Sequence, residues 1–184
     1  MKVLIACEFS GVVREAFRER GHNAISCDLL ETEKEGKHYK GDLFDLLYLG
    51  WDLIIAHPPC THLAVSGNRW YAGTELRKQS VEFVERIWGC DCKKLAIENP
   101  VGVLNSMSDI LPKPQYIQPW MFGHGETKKT GIWKRGLPDL IPTNIVDGRD
   151  QRIWKMPPSA DRSKERSKTY QGIAKAMADQ WGHL

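Results

Sequence analysis

Apolar positions fall into two kinds of pattern that alternate along the chain. Lys2 to Cys7 (KVLIAC) is a continuous apolar run of strand length, and in Ser10 to Gly21 (SGVVREAFRERG) Val12, Val13, Ala16 and Phe17 recur at helical spacing before a glycine stop. HNAISCDLL returns to strand character and stops at Asp28, which completes a βαβ unit of about 30 residues. HYKGDLF, WDLIIA and KLAIEN are three further strand candidates. Between the last two, Gly73 to Gly89 sets Leu76, Val81, Phe83, Val84, Ile87 and Trp88 largely along one helical side. From Pro100 onward, prolines at 112, 114, 119, 138, 142, 157 and 158 break any long element and predict short strands and loops. A closing helix is predicted over IAKAMADQW, with Ile173, Met177 and Trp181 four apart. Strands alternating with helices, several apolar on both faces, predict an α/β protein with a mostly parallel sheet covered by helices. In such sheets ligands bind beyond the carboxyl ends of the strands.

Composition narrows this picture without changing it. The 184 residues, 41% hydrophobic and 27% charged, suit one domain with a core that needs no staples. No apolar run approaches the roughly 20 residues that cross a bilayer. The N-terminal apolar run is shorter than the ~7–15 residues of a signal-peptide core and reads as a first strand, so a cytoplasmic protein is expected. Five cysteines (Cys7, Cys27, Cys60, Cys90 and Cys92) form an odd set without framework spacing, as free thiols do. Cys90 and Cys92 have no second Cys or His pair to complete a zinc site, so no metal is expected. Charge is uneven: residues 1–112 hold 13 Lys/Arg against 16 Asp/Glu, and residues 113–184 hold 13 against 7. A basic half suits a polyanion on one face, or a solvated surface.

Each predicted strand ends on polar chemistry: CEFSG, Asp28, Gly41–Asp42, HPPC and Glu98–Asn99–Pro100. All five fall on the expected ligand edge. Cys7 and Cys27 read as small buried side chains. Cys60 differs because Pro58 and Pro59 lock the backbone torsions of the loop that carries it, which is how a nucleophile is held in place. Its thiol needs cationic help to ionise, for which His57, His62 and Arg69 are at hand. Glu98 is either a cap or ion-pair partner, or an acid whose burial raises its pKa so that it donates a proton. A cysteine, an acid and a nucleotide pocket together describe alkylation of a pyrimidine. Thiolate addition to carbon 6 and protonation of ring nitrogen 3 make carbon 5 an enamine carbon, which attacks a sulfonium donor.

With these motifs the chain resembles the cytosine-carbon-5 DNA methyltransferases, in particular small phage-type members without a separate target-recognition domain. HPPCTHLAVSG is similar to the family's nucleophile loop, ENP to its acid motif, CEFSG to its cofactor turn and, more loosely, TYQGIAKAMA to its closing segment. The resemblance implies a Rossmann-like S-adenosylmethionine-dependent fold over residues 1–184, with a cofactor and catalytic core at 1–104 and a basic, substrate-facing part at 105–184. It implies Cys60 as nucleophile and Glu98 as acid. Phe9, Ser10, Gly11 and Pro58 would contact S-adenosylmethionine, Asp28 its ribose and Asp42 its adenine. DNA is the implied partner, met by Asn99, Arg69 and Arg135, in the cytoplasm of a host cell if the chain is phage-encoded. The chain also departs from the family. Val12, Val13 and Arg14 replace further glycines of the cofactor turn, and Thr61, Leu63 and Ala64 replace Gln, Phe and Ser. The arginine element that steadies the base carbonyl oxygen is missing; Lys128, Lys129 or Arg135 is its expected replacement. Trp70, Tyr71, Trp120 and Trp133 are candidates to stack on bases. Three alternatives stay open: a modified donor accommodated at Arg14, a thymidylate-synthase-like enzyme with its Pro-Pro-Cys nucleophile, and a silent DNA- or cofactor-binding module.

Overall fold

The structure, a computed structural model, describes residues 1–184. Its strands are β1 (Lys2–Ala6), β2 (Asn23–Asp28), β3 (His38–Lys40), β4 (Leu53–Ala56), β5 (Leu95–Pro100), β6 (Gln115–Ile117) and β7 (Thr130–Arg135). They form one seven-stranded sheet in the order β3-β2-β1-β4-β5-β7-β6. β1 to β5 pair in parallel, and β7 runs antiparallel to both β5 and β6. A mostly parallel sheet in this order, with its reversed strand beside β5, is the Rossmann-like arrangement that the resemblance implied.

Residue alternation along the central strands divides the core into two layers. Val3, Ile5, Leu53, Ile55 and Ala96 point to one face, where α1 (Val12–Arg18) supplies Val13, Ala16 and Phe17. On the same face α7 (Gln171–Trp181) supplies Ile173, Ala174, Met177 and Trp181. Leu4, Ala6, Ile54, Ala56, Leu95 and Ile97 point to the other face, against Val81, Val84 and Ile87 of the long helix Glu75–Trp88. Because helices cover both faces, β1 and β4 must be apolar at nearly every position, and their continuous hydrophobic runs reflect that.

The helices begin where the sequence provides acceptors. Thr74 accepts from the Arg77 amide and caps the long helix. Cys7 leaves β1 in the left-handed region, φ 56°, the one non-glycine residue that does so. The chain turns there, and the Glu8 carboxylate accepts from the amides of Val13 (2.6 Å) and Arg14 (3.3 Å) at the start of α1. The basic second half is built into the same sheet through β6 and β7. Besides α7 its helices are the short α5 (Arg152–Lys155) and α6 (Arg162–Ser167); before it, the short α2 (Asn68–Tyr71) and α4 (Leu104–Met107) flank the long helix, α3.

Candidate functional site

A cleft of about 1330 Å³ opens over the carboxyl ends of the parallel strands. β1 contributes Cys7, Glu8, Phe9 and Ser10 through the turn that follows it, and β2 contributes Asp28. The loop after β4 contributes His57, Pro59 and Cys60, and Pro100 and Val101 come from the end of β5. Lys128 and Lys129 reach in from the segment before β7, and α5 and α6 roof the opening with Trp154, Arg162, Lys164 and Arg166.

The Cys60 loop is fastened to the end of β5 rather than left free. Asn99, 1% exposed, donates from Nδ2 to the Pro58 carbonyl at 2.8 Å. Beyond Cys60 the chain coils so that the Leu63 and Ala64 amides donate to the Cys60 carbonyl at 3.0 and 2.9 Å. Ala64 bridges Gly102, the Val65 amide donates to Val101 and the Val103 amide to Leu63. The two loops approach so closely that any side chain at Gly102 would run into the Leu63 carbonyl. Neighbouring parallel strands, β4 and β5, thus bring the cleft-lining Cys60 thiol and the Glu98 carboxylate, which is buried and does not line the cleft, close enough within one enclosure for their charges to interact.

The electrostatics of that enclosure differ from the sequence expectation. Burial pushes the Cys60 thiol up, and the Glu98 carboxylate adds to the shift; Lys128 and Arg166 pull it the other way without cancelling it. Burial would raise Glu98 too, but a hydrogen bond from His57 and the nearby Lys128 charge outweigh it and hold the carboxyl below its ordinary range. Of the two readings the sequence leaves open for Glu98, these neighbours favour the ion-pair partner over the protonated acid: His57 Nδ1 lies 3.1 Å from Oε2. At rest, therefore, the proton sits on sulfur and the carboxylate is ionised.

Other expected site residues are distributed as follows. Phe9, Ser10 and Asp28 line the cleft; Asp28 Oδ1 accepts from the Leu30 amide at 2.9 Å, and Leu30 forms an apolar wall beside it. Gly11 adopts φ 69° to start α1, and a side chain there would meet the Arg14 guanidinium. Asp42 does not line the cleft; its carboxylate caps the turn Leu43–Asp45 by accepting from Phe44. Pro58 supplies the carbonyl held by Asn99. Arg69 lies over the Trp70 ring, 5.3 Å from its centroid, rather than among the cleft-lining residues. Arg135 is corrected as a base contact. It ends β7 at the opposite edge, where its guanidinium donates to the carbonyls of Trp88, Cys90 and Cys92. Lys128 and Lys129 do reach the cleft, leaving them as the basic candidates for the base carbonyl.

Arg14 is fully buried away from the cleft. It donates to Ser26 and Thr32 and to the Lys34 and Glu35 carbonyls, riveting the loop after β2. Its presence in the cofactor turn therefore gives no reason to expect a modified donor. Of the aromatic candidates, Trp133 is core and Trp120 stacks with Arg149, whereas Trp70, 70% exposed, and Tyr71 line the cleft. Sequence reading missed Trp154, 74% exposed on the roof, because a lone tryptophan among prolines carries no periodic signal. It offers His57 as cationic help for Cys60 but not as the partner of Glu98 that the structure shows. The signal was its place, one residue past a buried strand.

No protein-family model and no curated protein matches the sequence. Among solved structures, the fold is similar to that of an E. coli prophage-encoded protein described as a candidate DNA modification methyltransferase, with a TM-score of 0.52 and 13% identity. The match covers 79% of this chain and 52% of that protein, so this chain spans about half its length. At this identity the likeness establishes the fold, a methyltransferase-like Rossmann arrangement.

Proposed function

We infer that the protein transfers a methyl group from S-adenosylmethionine to carbon 5 of cytosine in DNA, through a covalent adduct on Cys60. The observation that carries this reading is the joining of the Cys60 loop to the end of β5, so that Cys60, in the cleft with Phe9, Ser10 and Asp28, lies close enough to the buried Glu98 for the carboxylate to act on the thiol, with His57 linking Glu98 to the cleft. The cofactor end fits a nucleoside-bearing sulfonium. Asp28 keeps a carboxylate oxygen free for ribose hydroxyls, and Phe9 and Leu30 give apolar surface for a flat base. When bound there, S-adenosylmethionine would supply an electrophilic methyl group.

This chain's residues supply the remainder. The Cys60 sulfur adds to carbon 6 of the base, and Glu98 delivers a proton to ring nitrogen 3, which makes carbon 5 nucleophilic. The resting protonation state suits this addition: the thiol must lose one proton and the acid must gain one, so none need come from solvent. DNA as the substrate class is supported by Lys128, Lys129, Arg162 and Arg166 around the opening, beside the exposed rings of Trp70 and Trp154. Placing a base in the cleft from a duplex requires flipping it, at about a few kcal/mol.

The test is covalent trapping on DNA containing 5-fluorocytosine with methyl-labelled cofactor. Wild type should give a labelled, denaturant-resistant complex and Cys60→Ala none. Absence of a wild-type complex would remove the enzyme reading, and trapping by Cys60→Ala would move the nucleophile elsewhere. Preference for free dCMP or dUMP would favour the synthase-like reading.

A further inference from the structure

His57 joins the two halves of the site. It follows β4 directly, its amide donates to the Ala6 carbonyl at 2.9 Å, and its side chain is only 6% exposed. Nδ1 lies 3.1 Å from Glu98 Oε2. An ionised carboxylate only accepts, so Nδ1 carries the hydrogen, and in the neutral ring Nε2 carries the lone pair. That Nε2 is buried without a hydrogen-bond partner, on a residue that lines the same cleft as Cys60. Of four buried side-chain atoms left without partners, two, His57 Nε2 and Asn99 Oδ1, belong to this site. Such atoms each cost about 1–3 kcal/mol. Two such atoms at the start of the Cys60 loop and the end of β5 that holds it mark a site that expects another polar group.

We propose that His57 is a positioning residue that carries a proton between nucleophile and acid, Nε2 accepting it from Cys60 while Nδ1 releases its own to Glu98. The inference rests on the reading of Cys60 and Glu98 given above. The S–H bond breaks as Nε2–H forms, Nδ1–H breaks as Oε2–H forms, and the carboxyl proton passes to nitrogen 3 of the base. The sulfur electron pair makes the bond to carbon 6, and the displaced π pairs shift through carbon 5 and carbon 4 to the protonated nitrogen. No proton is exchanged with solvent in this addition. When sulfur leaves, the same transfers run backwards and reset the ring, and the carbon 5 proton departs separately to water. The groups facing this path are the Lys128 ammonium from the segment before β7 and, beside Cys60, Arg166 of α6. Glu8 and Asp28 lie further along the cleft.

The experiment is the single-turnover rate of adduct formation on 5-fluorocytosine DNA with the sulfonium donor, for wild type and His57→Asn, from about pH 6 to about pH 9. Asparagine keeps an amide donor near the Nδ1 position and has nothing at Nε2, so a purely structural role would leave the rate intact. The relay requires a wild-type rate that varies little with pH. It requires a variant about 100-fold slower across this range, its rate also varying little with pH because the thiol's loss of a proton and the carboxylate's gain of one offset each other. Calorimetric affinities for DNA and donor should stay within about twofold, since only proton transfer is lost. A wild-type rate that itself climbs about tenfold per unit overturns the relay without any variant. A His57→Asn rate and profile equal to wild type also overturns it. If wild type forms no adduct at all, the reading of Cys60 and Glu98 falls first and takes the relay with it.

Discussion

Replacing Gly102 with alanine tests whether the Cys60 loop owes its position to contact with the end of β5. The added methyl would overlap the Leu63 carbonyl oxygen and lie 2.8 Å from its carbon and 3.1 Å from Ala64 Cα, where ordinary contact begins at 3.4 Å. All three obstacles are backbone atoms, so no side chain can swing aside. The loops must separate, which strains the Ala64 bridge and the hydrogen bonds Val65 to Val101 (3.2 Å) and Val103 to Leu63 (2.9 Å). Overpacking of this kind costs about 1–3 kcal/mol. For a chain of this size, at about 2–4 °C per kcal/mol, the melting temperature should fall by roughly 2–12 °C. The effect on chemistry should be larger, because a shift of about 1 Å in a reacting atom can cost ~100-fold in rate. Calorimetry gives the first quantity and single-turnover trapping on 5-fluorocytosine DNA the second. Gly89→Ala is the control, since its methyl meets nothing closer than 3.4 Å and should change stability by less than about 0.5 kcal/mol. A Gly102→Ala protein that melts and traps like wild type would show that the thiol is positioned by something other than this contact.

Three further outcomes are expected. Arg14→Met leaves the Lys34 and Glu35 carbonyls without their donor and should destabilise the fold by about 3 kcal/mol. Amide exchange should accelerate most in residues 29–37, and unchanged exchange there would refute the rivet. Glu98 is held below its ordinary range, so its carboxylate stabilises the fold fully above the unfolded value of about 4.3 and loses that contribution as pH falls through the lower folded value. Acid titration followed by circular dichroism should show this increment in wild type; Glu98→Gln should lack it, and an identical acid limb would refute the pairing. If Arg166 meets a DNA phosphate, Arg166→Ala should reduce the slope of log affinity against log salt by about 1, measured by anisotropy, and an unchanged slope would refute that contact.

Local pattern was enough for the strands and helices of the first hundred residues. β1 and β4 are short runs that stay apolar on both faces, β2 and β5 are short stretches that bury apolar residues and turn polar toward their carboxyl ends, and α1, the helix Glu75–Trp88 and α7 carry helical periodicity. These features depend on residues near one another in sequence, so composition and spacing report them. β7 was not visible in the same way. Thr130–Arg135 is one short apolar stretch among many in a proline-rich half, and only its antiparallel pairing with β5 makes it a strand. That pairing brings Lys128 to Cys60 and carries Arg135 away from the cleft to the Cys90–Cys92 turn.

The chemistry divides along the same line. By itself the sequence determined which reactive side chains stand at strand ends, because strand ends are local events. Tertiary structure alone decided what those groups are charged to do. Burial and the neighbours that packing supplies, His57 and Lys128 above all, leave the proton on Cys60 and the negative charge on Glu98. Those neighbours reach the pair from β4 and from the segment before β7, and the energy of a charge depends on what surrounds it in space, which linear order does not contain.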